Sequence, residues 1–151
     1  MDVKIFKSQI SHLLKSKGFI KQGSSYYSFQ KGIIIVISLQ KSNFSNSYYI
    51  NIGYVICELN PSIINPKETD GDIRARFSFE ENGKLIDVFD LEKIEENGID
   101  SLSSIIEKNI HKYVDNITSL EDIIKLLEKN KIMLFQTKLV AKKLMGFEDN
   151  N

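Results

Sequence analysis

Apolar residues recur at two different spacings along the chain, helical at both ends and strand-like in the middle. The first stretch predicts an amphipathic helix that ends near Gly18, where a C-terminal cap is expected. Its apolar residues lie at helical spacing between Lys and Ser residues: Phe6, Ile10, Leu13 and Leu14. The chain therefore begins with a helix that has one face to bury.

Three strands are predicted next, at residues 25–30, 33–41 and 48–57. These segments are rich in Tyr, Ile, Val and Phe, which fit a pleated, half-buried surface. Lys31-Gly32 predicts a tight turn between the first two strands, because Gly accepts the positive φ that such turns need. The Ser and Asn residues of 42–47 predict the second turn, since Ser and Asn side chains bond nearby backbone groups. A binding site at that turn is the alternative interpretation.

Residues 58–71 contain both prolines of the chain and form a segment too long for a simple connection. We predict that this segment is a mobile flap. Beyond it, apolar and polar residues alternate from Ile73 to Glu80, and Asn82-Gly83 then supplies a strong hairpin signal. This pattern predicts two more strands.

The remaining chain has helical patterns. A short acidic helix is expected to end at Gly98, and the apolar residues of the helix after it lie on one face. That face comprises Leu102, Ile105, Ile106, Tyr113 and Ile117. Thr118 and Glu121 have the spacing of a capping box that starts another helix. A last helix carries the apolar residues Phe135, Leu139, Val140 and Leu144.

The order of elements predicts an α+β fold, because helices flank a run of consecutive strands. We expect an antiparallel sheet of about five strands, with the N-terminal helix and the C-terminal helices packed on one face. Residues 1–147 are interpreted as a single domain and residues 148–151 as a disordered tail.

The strand region also carries a family resemblance. "LLKSKGFIKQGSSYYSFQKGIIIVISLQKSNFSNSYYINIGY", followed by "DIRARFSF", resembles a family of small, mostly bacterial domains known as domain of unknown function 4304. The shared pattern is Gly-Phe, a Tyr or Phe pair, Gln-Lys-Ser and Tyr-Ile-Asn-x-Gly. It covers roughly the first 90 residues, about the size of one domain core. The resemblance implies a common fold and brings no assigned activity, cofactor or catalytic residue.

Charge and composition narrow the possible partners. Lys+Arg and Asp+Glu are both 20, so no overall field attracts a nucleic acid. Lys138, Lys142 and Lys143 form a basic stripe that complements a helix dipole without a nucleic-acid partner. The longest aliphatic run is far below the ~20 residues of a membrane helix, and no signal-peptide pattern starts the chain. We expect a cytoplasmic protein with no nucleic-acid and no membrane partner, in which the single Cys57 is a small buried residue of a strand.

A search for catalytic motifs finds no phosphate-binding Gly-rich loop, no Gly-x-Ser-x-Gly and no His-Glu-x-x-His. His12 lies on the polar flank of the first helix, where a solvent-facing role is expected. His111 has Glu107 and Asp115 four residues on either side, a spacing that could hold a metal but that surface i,i+4 electrostatics also explains. We therefore predict no catalytic residue, no cofactor and no metal.

One constellation lies on the predicted sheet. Side chains alternate along a strand, so Tyr49 and Asn51 must face away from the helices if Ile50 and Ile52 face them. The same rule makes two arginines project together from a neighbouring strand, with a glutamine beside them. The candidate site residues are Arg74, Arg76, Asn51, Gln40 and Tyr49.

This face has a plain interpretation as the solvated side of an antiparallel sheet. If it is functional, the first hypothesis is a non-enzymatic module that binds another protein, in the manner of bacterial immunity or accessory proteins. The alternative is a small-ligand domain in which Arg74 and Arg76 bind an anionic metabolite or nucleotide beneath the flap, and an enzyme acting on such a ligand is the third. A closable pocket would favour the ligand, whereas an open surface would favour the partner.

Overall fold

A computed structural model describes residues 1–147 and shows an antiparallel sheet with helices packed on one face. In chain order the elements are α1 (Val3–Ser16), β1 (Ile20–Gln22), β2 (Ser25–Gln30), β3 (Ile33–Lys41), β4 (Ser47–Ile56), β5 (Ile73–Arg76), β6 (Phe79–Glu81), β7 (Lys84–Ile86), β8 (Phe89–Asp90), α2 (Leu91–Asn97), α3 (Ile99–Tyr113), α4 (Leu120–Lys129), α5 (Lys131–Gln136) and α6 (Leu139–Leu144). The predicted α+β class is confirmed. The tail predicted at residues 148–151 lies outside the described residues.

The main sheet has the order β1-β2-β3-β4-β5, with every neighbouring pair antiparallel. β8 pairs with the start of β4, so this sheet has six strands, while β6 and β7 form a separate two-stranded hairpin. β2 and β3 have the predicted bounds. β1 was missed because its three residues are all exposed and show no alternation.

The core lies between the sheet and the helices. α1 contributes the buried residues Phe6, Ile10 and Leu14, and the inner face of the sheet contributes alternate residues such as Ile35, Ile37, Ile50, Ile52 and Tyr54. The Tyr54 hydroxyl donates a hydrogen bond of 2.5 Å to the Tyr113 carbonyl and so connects β4 to the end of α3. Burial, with a smaller contribution from Tyr113, raises the pKa of Tyr54 well above its usual value.

The chain leaves the main sheet after β5, earlier than the alternating pattern predicted. Asn109 of α3 is buried, and its side chain accepts a hydrogen bond from the Ser78 backbone N–H at 2.9 Å and donates one to the Ser78 carbonyl at 2.8 Å. These bonds replace the strand partner that Ser78 would otherwise need. The hairpin therefore starts away from the sheet edge.

The start of α4 differs from the predicted capping box. Ser119 is the N-cap, and the carboxylate of Asp122 accepts hydrogen bonds from the Thr118 backbone N–H at 3.0 Å and from the hydroxyls of Thr118 and Ser119. The backbone hydrogen bond from Thr118 is the main cause that lowers the pKa of Asp122. The assignment to Glu121 was wrong because sequence spacing alone does not identify which residue is the cap.

The predicted last helix is two short helices. Thr137 has extended backbone angles between α5 and α6, and its hydroxyl donates a hydrogen bond of 2.7 Å to the Met133 carbonyl. The side chains that turn inward are Met133, Thr137, Ala141 and Met145, whereas Phe135, Leu139 and Val140 are exposed. The break at Thr137 thus changes which face the helices bury.

The predicted turn at Asn82-Gly83 is confirmed. Both residues have positive φ, 51° and 76°, and Glu81 pairs with Lys84 across a two-residue loop. A Cβ at Gly83 would have nothing within 4 Å, so the backbone angle is the only obstacle to a side chain there.

Replacing Gly83 with Val is expected to lower the free energy of unfolding by about 1–2 kcal/mol, because a β-branched residue at positive φ is strained. Urea denaturation followed by circular dichroism measures the change. Lys84→Val is the control, since Val fits an exposed strand position. Equal midpoints for wild type and Gly83→Val would show that the turn adapts without cost.

Candidate binding surface

The outer face of the sheet, opposite the helices, has two unlike halves. One half is a second apolar cluster of the buried residues Tyr27, Ile34, Val36 and Val55. The chain between β4 and β5, residues 57–72, which we call the β4–β5 loop, packs Cys57 and Ile63 against this cluster. The other half is polar and open. The outer face that the sequence predicted to be polar is therefore polar over only half of its extent.

The β4–β5 loop is a packed element where the sequence predicted a mobile flap. The Tyr27 hydroxyl donates a buried hydrogen bond of 2.8 Å to the Pro66 carbonyl. Asp72 is buried, and its carboxylate accepts hydrogen bonds from the Ile56 backbone N–H at 2.8 Å and from the Asn60 side chain at 2.9 Å. These bonds hold both ends and the middle of the loop against the sheet.

Gly53 lets the loop approach the sheet closely. A Cβ at this position would lie 2.6 Å from the carbonyl oxygen of Glu68, which begins a short 3-10 helix in the loop. No side chain fits in that space. The absence of a side chain on Gly53 thus sets the position of Glu68 beside β5.

The predicted site residues on β3, β4 and β5 do come together. Arg76 donates a hydrogen bond from Nε to Oδ1 of Asn51 at 2.9 Å, and Asn51 donates one from Nδ2 to Oε1 of Gln40 at 2.9 Å. The Arg76 guanidinium carbon lies 4.2 Å from the centre of the Tyr49 ring, within range of a cation–π interaction. We call Gln40, Tyr49, Asn51 and Arg76 the Arg76 cluster.

Arg74 projects from the same face of the sheet but contacts the β4–β5 loop instead of the Arg76 cluster. Its Nη2 lies 3.0 Å from Oε2 of Glu68 in the β4–β5 loop, and Nη1 of Arg76 lies 3.5 Å from Oδ2 of Asp87. The sequence identified no acidic partner for either arginine, and the structure corrects this. The Arg76–Asp87 pair is exposed on both sides and contributes little to stability, whereas only 13% of the Glu68 side chain is exposed. Both pairs partly neutralise the positive charge of the surface.

An open cleft of about 640 Å³ adjoins the Arg76 cluster at the β5 edge. The sheet lines it with Asn51, Arg74 and Arg76, and more distant parts of the chain add Leu85, Asp87, Lys112, Ile132 and Gln136. Sequence reasoning missed these added residues, because only the packing of α3, α5 and the hairpin brings them to the β5 edge. The cleft mixes charged, polar and apolar side chains.

The other sequence candidates have structural roles or solvent exposure. His12 and His111 are exposed, and Nδ1 of His111 lies 3.5 Å from Oδ2 of Asp115, as expected for surface i,i+4 electrostatics. Residues 1–147 contain no group of three or more His, Cys, Asp or Glu side chains that could hold a metal ion. Cys57 is half-buried and begins a 3-10 helix after β4, which corrects its placement within a strand.

Residues 42–47 show the hydrogen bonds of a turn. The Ser42 backbone N–H donates to the Ser47 carbonyl at 2.9 Å, and the Ser42 hydroxyl accepts from the Phe44 N–H at 3.2 Å. Ser45 and Ser47 also border a separate, mostly apolar cavity of about 250 Å³ below the hairpin. The turn chemistry explains the Ser and Asn residues without a ligand.

The fold and this surface define an α+β domain with helices on one face of its sheet and an open polar area on the other. The chain belongs to the family described as a domain of unknown function (DUF4304), whose model matches residues 10–128. The match begins within α1, ends within α4 and includes the Arg76 cluster, so the resemblance found in the strand region is confirmed and extends further along the chain. No curated protein and no solved structure matches the chain.

Proposed function

We propose that this protein is a non-enzymatic binding module that holds another protein against the Arg76 cluster and the adjoining cleft. The observation that carries the proposal is the preorganised guanidinium of Arg76, held by Asn51 and lying over Tyr49 while 42% of its side chain stays exposed. Arg and Tyr are enriched among the residues that dominate protein interfaces. A side chain already held in place loses less entropy on binding.

The geometry favours a protein over a small anion. The β4–β5 loop is bonded onto the apolar half of the outer face, where it does not form a lid over an enclosed pocket. An anion that approached Arg74 or Arg76 would also compete with Glu68 and Asp87 for the same guanidinium groups. The open cleft instead offers a surface that a larger partner can cover.

We place this module in the cytoplasm, comparable in role to bacterial immunity or accessory proteins. The single cysteine supports this proposal, because a chain without disulfide bonds needs no oxidising compartment. The equal numbers of acidic and basic residues support a protein partner over a nucleic acid.

Replacing Arg74 and Arg76 together with Gln is expected to reduce recovery of the partner by about tenfold or more, because interface arginines are common hot spots. The free energy of unfolding should change by only about 0.5 kcal/mol per site, since both arginine side chains are exposed. Quantitative mass spectrometry after affinity capture from the native host measures recovery. Lys21→Gln is the matched control, because Lys21 also lies over a tyrosine ring, that of Tyr26, at another place on the sheet.

Two outcomes would contradict this assignment. Unchanged recovery with the double variant would place the binding surface elsewhere. A rise of several degrees in the melting temperature of the wild type with inorganic phosphate, absent from the double variant, would favour the anionic-ligand alternative.

A further inference from the structure

The helices α5 and α6 expose an apolar surface that no described part of the chain covers. Its residues and exposed fractions are Ile132 72%, Phe135 82%, Leu139 46% and Val140 54%, and we call them the α5–α6 patch. They are exposed because Met133, Thr137, Ala141 and Met145 occupy the inward side of the same helices. The patch lies beyond residue 128, where the family match ends.

Lysines predominate among the charged residues near the α5–α6 patch in the sequence. Residues 129–147 contain the lysines Lys129, Lys131, Lys138, Lys142 and Lys143 and no Asp or Glu. Glu128 directly precedes this stretch and Glu148 and Asp149 directly follow it, so residues 128–149 carry a formal net charge of +2, from five lysines against three acidic residues. Lys142 lies against Phe135, with Nζ 5.8 Å from the centre of the ring. Basic and apolar side chains therefore share one surface.

We propose that the α5–α6 patch docks on an anionic phospholipid bilayer surface. Phe, Ile, Leu and Val side chains on short helices can enter the boundary between headgroups and acyl chains, while lysines around them bind anionic headgroups. Lipid of this charge lies on the cytoplasmic leaflet, which agrees with the proposed location of the protein. The contact is peripheral.

A second copy of the chain fits the patch less well than a bilayer. A two-fold contact through the patch would bring the lysines of both copies together, and like charges at close range repel. A bilayer supplies the opposite charge and, being fluid, needs no complementary shape for the protruding Phe135 and Ile132.

This proposal revises the expectation that the protein has no membrane partner. That expectation rested on the lack of a spanning segment, and none of the helices within residues 1–147 has the length and apolar character needed to cross a bilayer. A surface contact has different requirements. It needs an exposed apolar patch with basic neighbours, and the sequence pattern did not show which residues of α5 and α6 were exposed.

Co-sedimentation with vesicles tests the proposal. We expect the wild type to bind phosphatidylcholine vesicles that contain about one third phosphatidylserine. Its binding to pure phosphatidylcholine vesicles should be weaker by about tenfold or more. Phe135→Ser with Ile132→Ser should lower binding by about tenfold or more, because it removes the two most exposed side chains of the α5–α6 patch. Lys138→Gln with Lys143→Gln should lower vesicle binding by about tenfold at low salt. The reduction should be smaller at high salt, because salt screens the attraction between lysines and anionic headgroups.

Matched controls separate the patch from the rest of the surface. Phe44→Ser removes a phenylalanine that is 97% exposed in the turn at residues 42–47, and its vesicle binding should equal that of the wild type. Ile132 also lines the cleft beside the Arg76 cluster, whereas Phe135 does not. Phe135→Ser alone should therefore lower vesicle binding as well, and the Arg74→Gln/Arg76→Gln variant should bind vesicles normally.

Three results would overturn the proposal. The first is that the wild type binds neither kind of vesicle or binds both equally. The second is unchanged vesicle binding after Phe135→Ser with Ile132→Ser. The third is a dimer by light scattering that Phe135→Ser dissociates, which would assign the patch to contact between copies. Circular dichroism of each variant establishes that a loss of binding is not a loss of fold.

Discussion

Replacing Gly53 with Ala is expected to be among the most destabilising single substitutions in this protein, lowering the free energy of unfolding by about 2–4 kcal/mol. The added Cβ would lie 2.6 Å from the Glu68 carbonyl oxygen and 3.2 Å from the Glu68 Cα. Both are backbone atoms, so no side-chain rotation relieves the contact. The loop cannot simply move away, because the bonds of Tyr27 and Asp72 hold it.

Urea denaturation followed by circular dichroism measures the loss. Ser38→Ala is the control, because Ser38 pairs with Asn51 next to this part of β4, and its substitution removes a hydroxyl without adding bulk. A loss for Gly53→Ala of less than about 0.5 kcal/mol would show that the loop yields and that its contact with the sheet is loose.

Replacing Asp72 with Ala is expected to lower the free energy of unfolding by about 2–4 kcal/mol, since two donors lose a charged acceptor. Asp72 is only 3% exposed, and one carboxylate oxygen accepts from both the Ile56 N–H and the Asn60 side chain. Without it, the N–H of Ile56 is left at the end of β4 with no partner, and the β4–β5 loop loses its anchor.

Asp72→Asn separates the hydrogen bonds from the loss of the side chain. An amide oxygen can still accept from both donors, so the loss should be smaller than for Asp72→Ala. Asp70→Ala is the matched control in the same loop, because its carboxylate accepts only an exposed bond from the Lys67 N–H. Equal losses for Asp72→Ala and Asp70→Ala would contradict the role of Asp72 as the buried anchor.

Hydrogen exchange gives a second measurement for both substitutions. In both Gly53→Ala and Asp72→Ala we expect faster exchange at the backbone amides of residues 56 and 72. Each of these amides donates a hydrogen bond across the junction between β4 and the β4–β5 loop in the wild type. Exchange in α1 should change much less under native conditions if the loop opens locally.

Local patterns were enough for the elements whose own residues decide their structure. β2 and β3 have the predicted bounds because long apolar runs with short turns leave few other pairings. The turn at Asn82-Gly83 was predictable because it depends on two adjacent residues that tolerate positive φ. Asn51 and Arg76 were correctly predicted to share one face, because side chains alternate along β4 and β5 and these two residues are direct partners across the pair.

Long-range packing decided what sequence spacing could not. Asn109 removes Ser78 from the main sheet across 31 positions of sequence, and Glu68 and Asp87 reach the arginines from a loop and from the hairpin region. Neither effect has a local sequence signal. The break at Thr137 also exposes Phe135, Leu139 and Val140, which helical spacing had placed in one continuous helix.

By itself, the sequence determined the α+β class, the strand order from β2 to β4, the family and the shared face of Gln40, Tyr49, Asn51 and the two arginines. These features follow from residue periodicity and short turns, which act over a few neighbouring positions. The tertiary structure alone decided that half of the outer face is apolar and covered, that the arginines are paired, and that the α5–α6 patch is exposed. Those features depend on which distant surfaces meet, because burial and pairing are properties of the packed chain and not of its local pattern.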